Sequence, residues 1–179
     1  VAAPAQRAPA ASGSAQSRPQ ARPTLLSLEP GFVMYRMIAL FAGLDYVGVP
    51  LNADDFALDL DATLAAIETH RPALTFIAYP NNPTGAVITE EQIKDIVAFC
   101  KQHDILLCHD NAYSEMTYDG YKAPSFLAVP GAKEVCIEFF SLSKMFNMTG
   151  WRVGFAVGNA EAIATLGKVK NNTDSGVFK

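Results

Sequence analysis

Three short, continuous apolar runs constrain this chain more than any other feature: Ala73 to Tyr79, Ile105 to Cys108 and Val135 to Phe140. Runs of this length without polar alternation mark strands covered on both faces, as in a parallel sheet. Helical patterns lie between and around them. Leu60, Leu64 and Ile67 predict an amphipathic helix ending near His70, which Pro72 stops. Thr89 and Gln92 predict a capping box, opening a helix whose inner stripe is Ile93, Ile96, Val97 and Cys100. Further strands are expected at Tyr46 to Leu51 and Val153 to Val157. Further helices are expected at Phe32 to Gly43, apolar on most faces and so read as buried, and from Ala160 to about Val169. This alternation predicts an α/β fold of three layers, a mostly parallel sheet with helices on both faces. No internal repeat is visible.

The chain has 179 residues, half of them hydrophobic and eleven of them Phe, enough for the core of one domain. Residues 1–24 differ from the rest. They are Ala, Pro, Ser, Gln and Arg without acid or aromatic, and read as a disordered leader. Acid-poor basic composition also resembles a transit peptide, but four prolines spoil an amphipathic helix. An artificial or mistranslated leader fits as well. The stretch lacks the apolar region of a secretory signal. A net charge of −4 argues against a nucleic-acid partner, and no apolar run approaches the roughly 20 residues of a membrane span. Cys100, Cys108 and Cys136 have no metal-ligand spacing and sit in apolar settings. They read as buried free thiols, which suits a cytoplasmic location, and no metal site is expected.

In open α/β sheets, ligands bind beyond the carboxyl ends of the strands. Polar clusters stand directly after all three apolar runs. The first is Asn82 in the rigid turn Tyr79-Pro80-Asn81-Asn82-Pro83-Thr84-Gly85. The second is Asp110 with Tyr113, and the third is Ser141-Leu142-Ser143-Lys144, with Arg152 eight residues on. Each has a plain structural reading. Asn, Pro and Gly are turn formers, Asp110 is a good helix cap, Tyr113 could be a half-buried tyrosine, and the serines, Lys144 and Arg152 could be solvated. Phe32 could be core, His109 a packing residue or a partner of the neighbouring carboxylate, and Trp151 reads as core.

The chemical reading joins the clusters. A lysine amine against apolar walls loses its proton readily and condenses with a carbonyl. Two hydroxyls and a guanidinium beside it suit a phosphate. A phosphate-bearing aldehyde answers to both, and pyridoxal phosphate is the common one. A carboxylate at Asp110 could face its pyridine nitrogen, and Asn82 and Tyr113 could donate to its ring oxygen.

These residues carry a family resemblance. Asn82-Pro83-Thr84-Gly85, Asp110-x-x-Tyr113 and Ser141-x-Ser143-Lys144 with Arg152 look like the class I/II aminotransferases of the aspartate aminotransferase fold, over residues 25–179. The resemblance implies that Lys144 binds pyridoxal 5'-phosphate as a Schiff base and later carries the substrate's alpha proton. It implies that Asp110 pairs with the ring nitrogen, Asn82 and Tyr113 hold the ring oxygen, and Ser141, Ser143 and Arg152 hold the phosphate. Phe32 falls where the family keeps a ring-stacking aromatic. Transamination between an amino acid and a 2-oxo acid is implied, in an enzyme that is a homodimer when complete. A lyase or decarboxylase of the same fold, or a catalytically silent domain, are the alternatives.

The finer resemblance is divided. Glu29-Pro30-Gly31-Phe32-Val33-Met34-Tyr35-Arg36 through Asn82 is similar to histidinol-phosphate aminotransferases. From about Ala86 onward, with His109 to Glu115 and Asn147 to Arg152, the chain looks like LL-diaminopimelate aminotransferases. A chimera joined near Asn82 is one way to read this. The family's upstream phosphate loop and its C-terminal small domain have no counterpart, so the expectation is the central part of the large domain, weakly active or inactive alone.

Overall fold

The computed structural model describes residues 22–174. Most of the stretch read as a disordered leader, residues 1–21, lies outside the described residues, whereas Thr24 already belongs to the first strand. Among the described residues the chain forms one sheet of six strands: β1 (Thr24–Glu29), β2 (Asp45–Pro50), β3 (Leu74–Ala78), β4 (Leu106–Asp110), β5 (Cys136–Ser141) and β6 (Gly154–Gly158). Their order across the sheet is β2-β1-β3-β4-β5-β6. The first five are parallel, and β6 runs antiparallel on β5. The expected mostly parallel, doubly covered sheet is the fold found.

Side chains alternate across each strand, so the two faces can be read by parity. One face carries Leu26, Leu28, Ile77, Tyr79, Leu107 and Cys136. It packs on α2 (Leu60–His70) and α3 (Glu90–Gln102) through Ile67, Ile93, Ile96, Val97 and Cys100. The predicted capping box is present: Thr89 Oγ1 accepts from Gln92 N, and the Gln92 side chain accepts from Thr89 N. The other face carries Leu25, Phe76 and Ala78 against Tyr35 and Ala39 of α1 (Met34–Phe41). On that same face α5 (Ala160–Thr173) and the strands border a groove of about 630 Å³, lined by Phe76, Cys108, Ile137, Phe139, Leu166 and Val169.

Several sequence expectations are corrected. The segment Phe32 to Gly43 is helical but not buried all round. Only Tyr35 and Ala39, one turn apart, face the sheet, while Ile38, Leu40 and Phe41 are exposed. Trp151 is not core: it sits in a single 3₁₀ turn between β5 and β6 and is more than half exposed. Strand β1 is absent from the sequence reading, yet it lies inside the sheet between β2 and β3, and its four inner residues are buried. Six residues with Ser27 at their centre give neither a long apolar run nor an alternation. The three cysteines are free and buried, as expected. Burial pushes the thiols of Cys100 and Cys108 up to about 12, so they stay protonated and unreactive.

Strand β6 depends on two glycines. A Cβ at Gly154 would stand 2.6 Å from the Phe140 carbonyl oxygen. At Gly158, where φ is +139°, a Cβ would collide with the Cys136 carbonyl oxygen. Gly158→Ala is expected to lower stability by more than about 1 kcal/mol, because both the backbone region and the space exclude a side chain. Urea unfolding checks this; an unchanged midpoint would show that β6 does not need the close approach.

Candidate active site

Strands β3, β4 and β5 are neighbours in register, with Ala78 opposite Asp110 and Asp110 opposite Phe139. Their carboxyl ends therefore stop side by side, and the three polar clusters leave the sheet at one edge. After β3 the chain enters the Asn82 turn, in which the Tyr79–Pro80 and Asn82–Pro83 peptides are cis. Asn81, buried, accepts from the Thr84 hydroxyl at 2.8 Å and receives Gly85 N on its carbonyl, so the turn is closed on itself.

Asn82 and Tyr113 meet: the Asn82 amide donates to the Tyr113 hydroxyl at 3.4 Å. The amine of Lys144 lies over the same tyrosine ring, 5.5 Å from its centroid. Asp110 is partly buried and accepts from the Tyr35 hydroxyl at 2.6 Å through Oδ2, which leaves Oδ1 for another donor. Burial first, and then the Asp110 carboxylate, push the Tyr35 hydroxyl far above its ordinary value. It stays protonated and acts as a donor at every ordinary pH. Phe32 packs edge-on to Tyr35 at 5.6 Å, and Tyr35 stacks on Phe76, which stacks on Phe139. Asp110 thus emerges beside an aromatic layer. A cavity of about 410 Å³ opens by Asn82 and Tyr113, walled by Pro80, Val87, Met116 and Tyr121.

The third cluster is arranged by the β5–β6 hairpin. Ser141 pairs with Gly154, and Leu142 N donates to the Val153 carbonyl. That register brings Arg152 to the height of Ser143. Ser141 caps the single helical turn Leu142–Met145 by accepting from Ser143 N at 3.3 Å. Ser143 is buried, and the Thr149 hydroxyl donates to its carbonyl. Arg152 is exposed, with a left-handed backbone, and its guanidinium donates to the Thr149 carbonyl. Lys144 is exposed too. The apolar walls expected around its amine are reduced to the Tyr113 ring, because the helical turn projects it past the end of the sheet.

The sequence reading missed two residues. Tyr35 lies in the first turn of α1, three residues after Phe32, which precedes the helix, and this closeness to an expected site residue could have flagged it. Glu138 lies inside the apolar run of β5 and is 1 % exposed; a lone carboxylate in such a run needs buried partners. Its partner is His109, directly opposite in register, at 2.7 Å from Nδ1 to Oε1. His109 was expected to pack or to pair with the neighbouring Asp110. Adjacent strand residues point to opposite faces, so it pairs with Glu138 beneath the sheet.

A family model described as aminotransferase class I and II matches residues 16–175. The chain belongs to the class I and II aminotransferases. This family works with pyridoxal phosphate, and its match begins inside the stretch read as a leader. An LL-diaminopimelate aminotransferase 2 from Trichormus variabilis is 58 % identical over 153 residues, covering 84 % of this chain and 39 % of that protein. An LL-diaminopimelate aminotransferase from Gloeobacter violaceus is 54 % identical over 152 residues, covering 84 % and 38 %. Among solved structures, a probable N-succinyldiaminopimelate aminotransferase from Thermus thermophilus superposes with a TM-score of 0.81 at 38 % identity, covering 88 % of this chain and 42 % of that one. The chain therefore spans about two fifths of the length of these relatives. A match of 153 residues in a chain of 179 must cross Asn82 to Ala86. One relative runs through both halves, which argues against a join there.

Two predictions concern the two faces of β4. Tyr35→Phe deletes a donor to a partly buried carboxylate and is expected to cost about 1.5–3 kcal/mol. Denaturant unfolding reads the loss, and a cost below a few tenths would mean that water replaces the hydroxyl. On the opposite face, burial alone would push the Glu138 carboxyl up. The hydrogen bond and charge of His109, with donors from Ser125 and Phe126, instead hold it below its ordinary 4.5. A carboxyl depressed in the folded chain adds stability that is complete above its unfolded value and is lost as pH falls through the folded one. Acid unfolding should therefore steepen below that ordinary value, and Glu138→Gln should flatten this limb; equal slopes in both proteins would refute it.

Proposed function

We propose that this chain holds the cofactor-binding part of a pyridoxal-phosphate-dependent aminotransferase that exchanges an amino group between an amino acid and a 2-oxo acid, of the diaminopimelate type its relatives' names indicate. The observation that carries the reading is the meeting of Asn82, Tyr113 and Lys144 beside Asp110 at adjacent parallel strand ends.

The donor set fits the cofactor. Pyridoxal phosphate, when bound, supplies a carbonyl carbon for an amine and a ring that takes up electrons from the substrate's alpha carbon. Lys144 Nζ, which lies over the Tyr113 ring, would be the amine that holds the cofactor at that carbonyl carbon and would serve as the base for the substrate's alpha proton. Asp110, whose carboxylate Tyr35 fixes through Oδ2, would face the ring nitrogen and favour its protonated form. Asn82 and Tyr113, already in contact, would donate to the ring oxygen. Phe32 offers an aromatic face. Arg152 and the hydroxyls of Ser141 and Ser143, on the two sides of the β5–β6 connection, would hold the phosphate by charge-assisted bonds. Residues 25–179 then form the central part of the large domain. Family membership supports a homodimer for the complete enzyme, and three buried free thiols support a cytoplasmic location. Among the described residues no helix is long and apolar enough to cross a membrane.

The test is chemical. Pyridoxal phosphate added to the chain should give a visible absorbance band, and borohydride should fix the cofactor on one peptide. Mass mapping is expected to place it on Lys144, and Lys144→Ala should abolish the label. A stable label on another lysine would overturn the assignment.

A further inference from the structure

Beneath the candidate site, on the α3 side of the sheet, lies a buried polar cluster for which the proposed chemistry has no use. His109 and Glu138 are fully buried, at 0 % and 1 % exposure, and face each other across β4 and β5. Glu138 Oε1 accepts from His109 Nδ1 at 2.7 Å and from Phe126 N at 2.7 Å, and Oε2 accepts from the Ser125 hydroxyl at 2.8 Å. The other imidazole nitrogen, Nε2, is 3.0 Å from the Tyr79 carbonyl oxygen. The ring lies flat on Phe126, centroids 3.9 Å apart.

The partners set what the ring can donate to. A carbonyl oxygen only accepts, and a carboxylate already taking two other donors does the same. With an oxygen at hydrogen-bonding distance of each nitrogen, the imidazole is placed to donate twice. A charged pair in a dry core is costly unless every lone pair is met, and here each carboxylate oxygen and each ring nitrogen has its partner.

What the pair ties together is specific. Tyr79 is the last residue before the Pro80–Asn82 turn. His109 is bonded through the chain to Asp110. Glu138 is three residues before Ser141 on β5. We infer that His109 and Glu138 form a buried clamp of positioning residues that fixes the relative heights of the three strand ends carrying Asn82, Asp110 with Tyr113, and Ser141 with Lys144. Backbone ladders alone leave those ends free to fray, since each strand stops within a few residues of the clamp. The bonds cross from β4 to both neighbours at this level and join the Ser125–Phe126 segment to them. The clamp lies on the face of β4 opposite Asp110. Its purpose rests on the cofactor reading above, but its effect on the strand ends can be measured without cofactor.

The test uses the full chain. At neutral pH the ring-nitrogen NMR shifts of His109 are expected to show both nitrogens protonated; a neutral ring would overturn the clamp as described. Two variants follow. His109→Gln keeps one donor. His109→Phe with Glu138→Leu replaces the pair by apolar groups of similar size, a change that folded cores tolerate. In either, amide exchange at the strand ends, read at Asn81, Asn111 and Leu142, is expected to quicken about tenfold or more while Leu107 N, bonded to the Val135 carbonyl, stays unchanged. Exchange that quickens equally at Leu107 would mean general destabilisation and overturn the clamp, as would exchange unchanged at the ends. Apparent affinity for pyridoxal phosphate should fall about tenfold in the same variants. Wild-type labelling of Lys144 tests the cofactor reading on its own, so failure of one is distinct from failure of the other.

Discussion

The register of β3, β4 and β5 is the constraint on which everything else in this chain depends. Parallel strands exchange evenly spaced hydrogen bonds and end on the same side of the sheet. Once Ala78 is opposite Asp110 and Asp110 opposite Phe139, the residues that follow each strand have no choice but to share one edge. A one-residue slip in β4 would send Asp110 to the face where His109 lies and bring the imidazole into the site. The apolar stripes of α2 and α3 hold the register by burying Ile77, Leu107 and Cys136 on one side only.

The two faces of β4 divide the work. On one face Asp110 meets Tyr35 and a layer of aromatic rings. On the other His109 meets Glu138 and a set of closed hydrogen bonds. The first face is open enough to take a ligand; the second is closed and charged. Adjacent residues of one strand can serve such different settings because a pleated strand turns successive side chains through half a turn. The hairpin of β5 and β6 adds the third part, and its two glycines let the backbones approach closely enough for Ser141 to pair with Gly154, two residues from Arg152.

Much of this was legible in the chain. The apolar runs, the capping box at Thr89 and Gln92, and the stops at Pro72 and Gly43 are local signals, and the elements they mark formed close to the expected bounds. The motif residues were legible because three polar clusters follow three strands. What stayed hidden was relational. Strand β1 is too short and too mixed to announce itself, and its place inside the sheet comes from its neighbours β2 and β3. The exposure of Trp151 and of most of α1 depends on what packs against them. Tyr35 became part of the site only because α1 crosses above Asp110.

By itself, the sequence determined the element types, their order and the chemistry available at each strand end, since those follow from periodicity and residue type along a short stretch. Tertiary structure alone decided which side chains meet. The pairings of Tyr35 with Asp110 and of His109 with Glu138 join residues 75 and 29 positions apart. They follow from strand order, register and helix placement, which no local pattern encodes. The physical reason is that a buried polar group takes whichever partner the packed fold brings within hydrogen-bonding distance, and distance along the chain has no bearing on that.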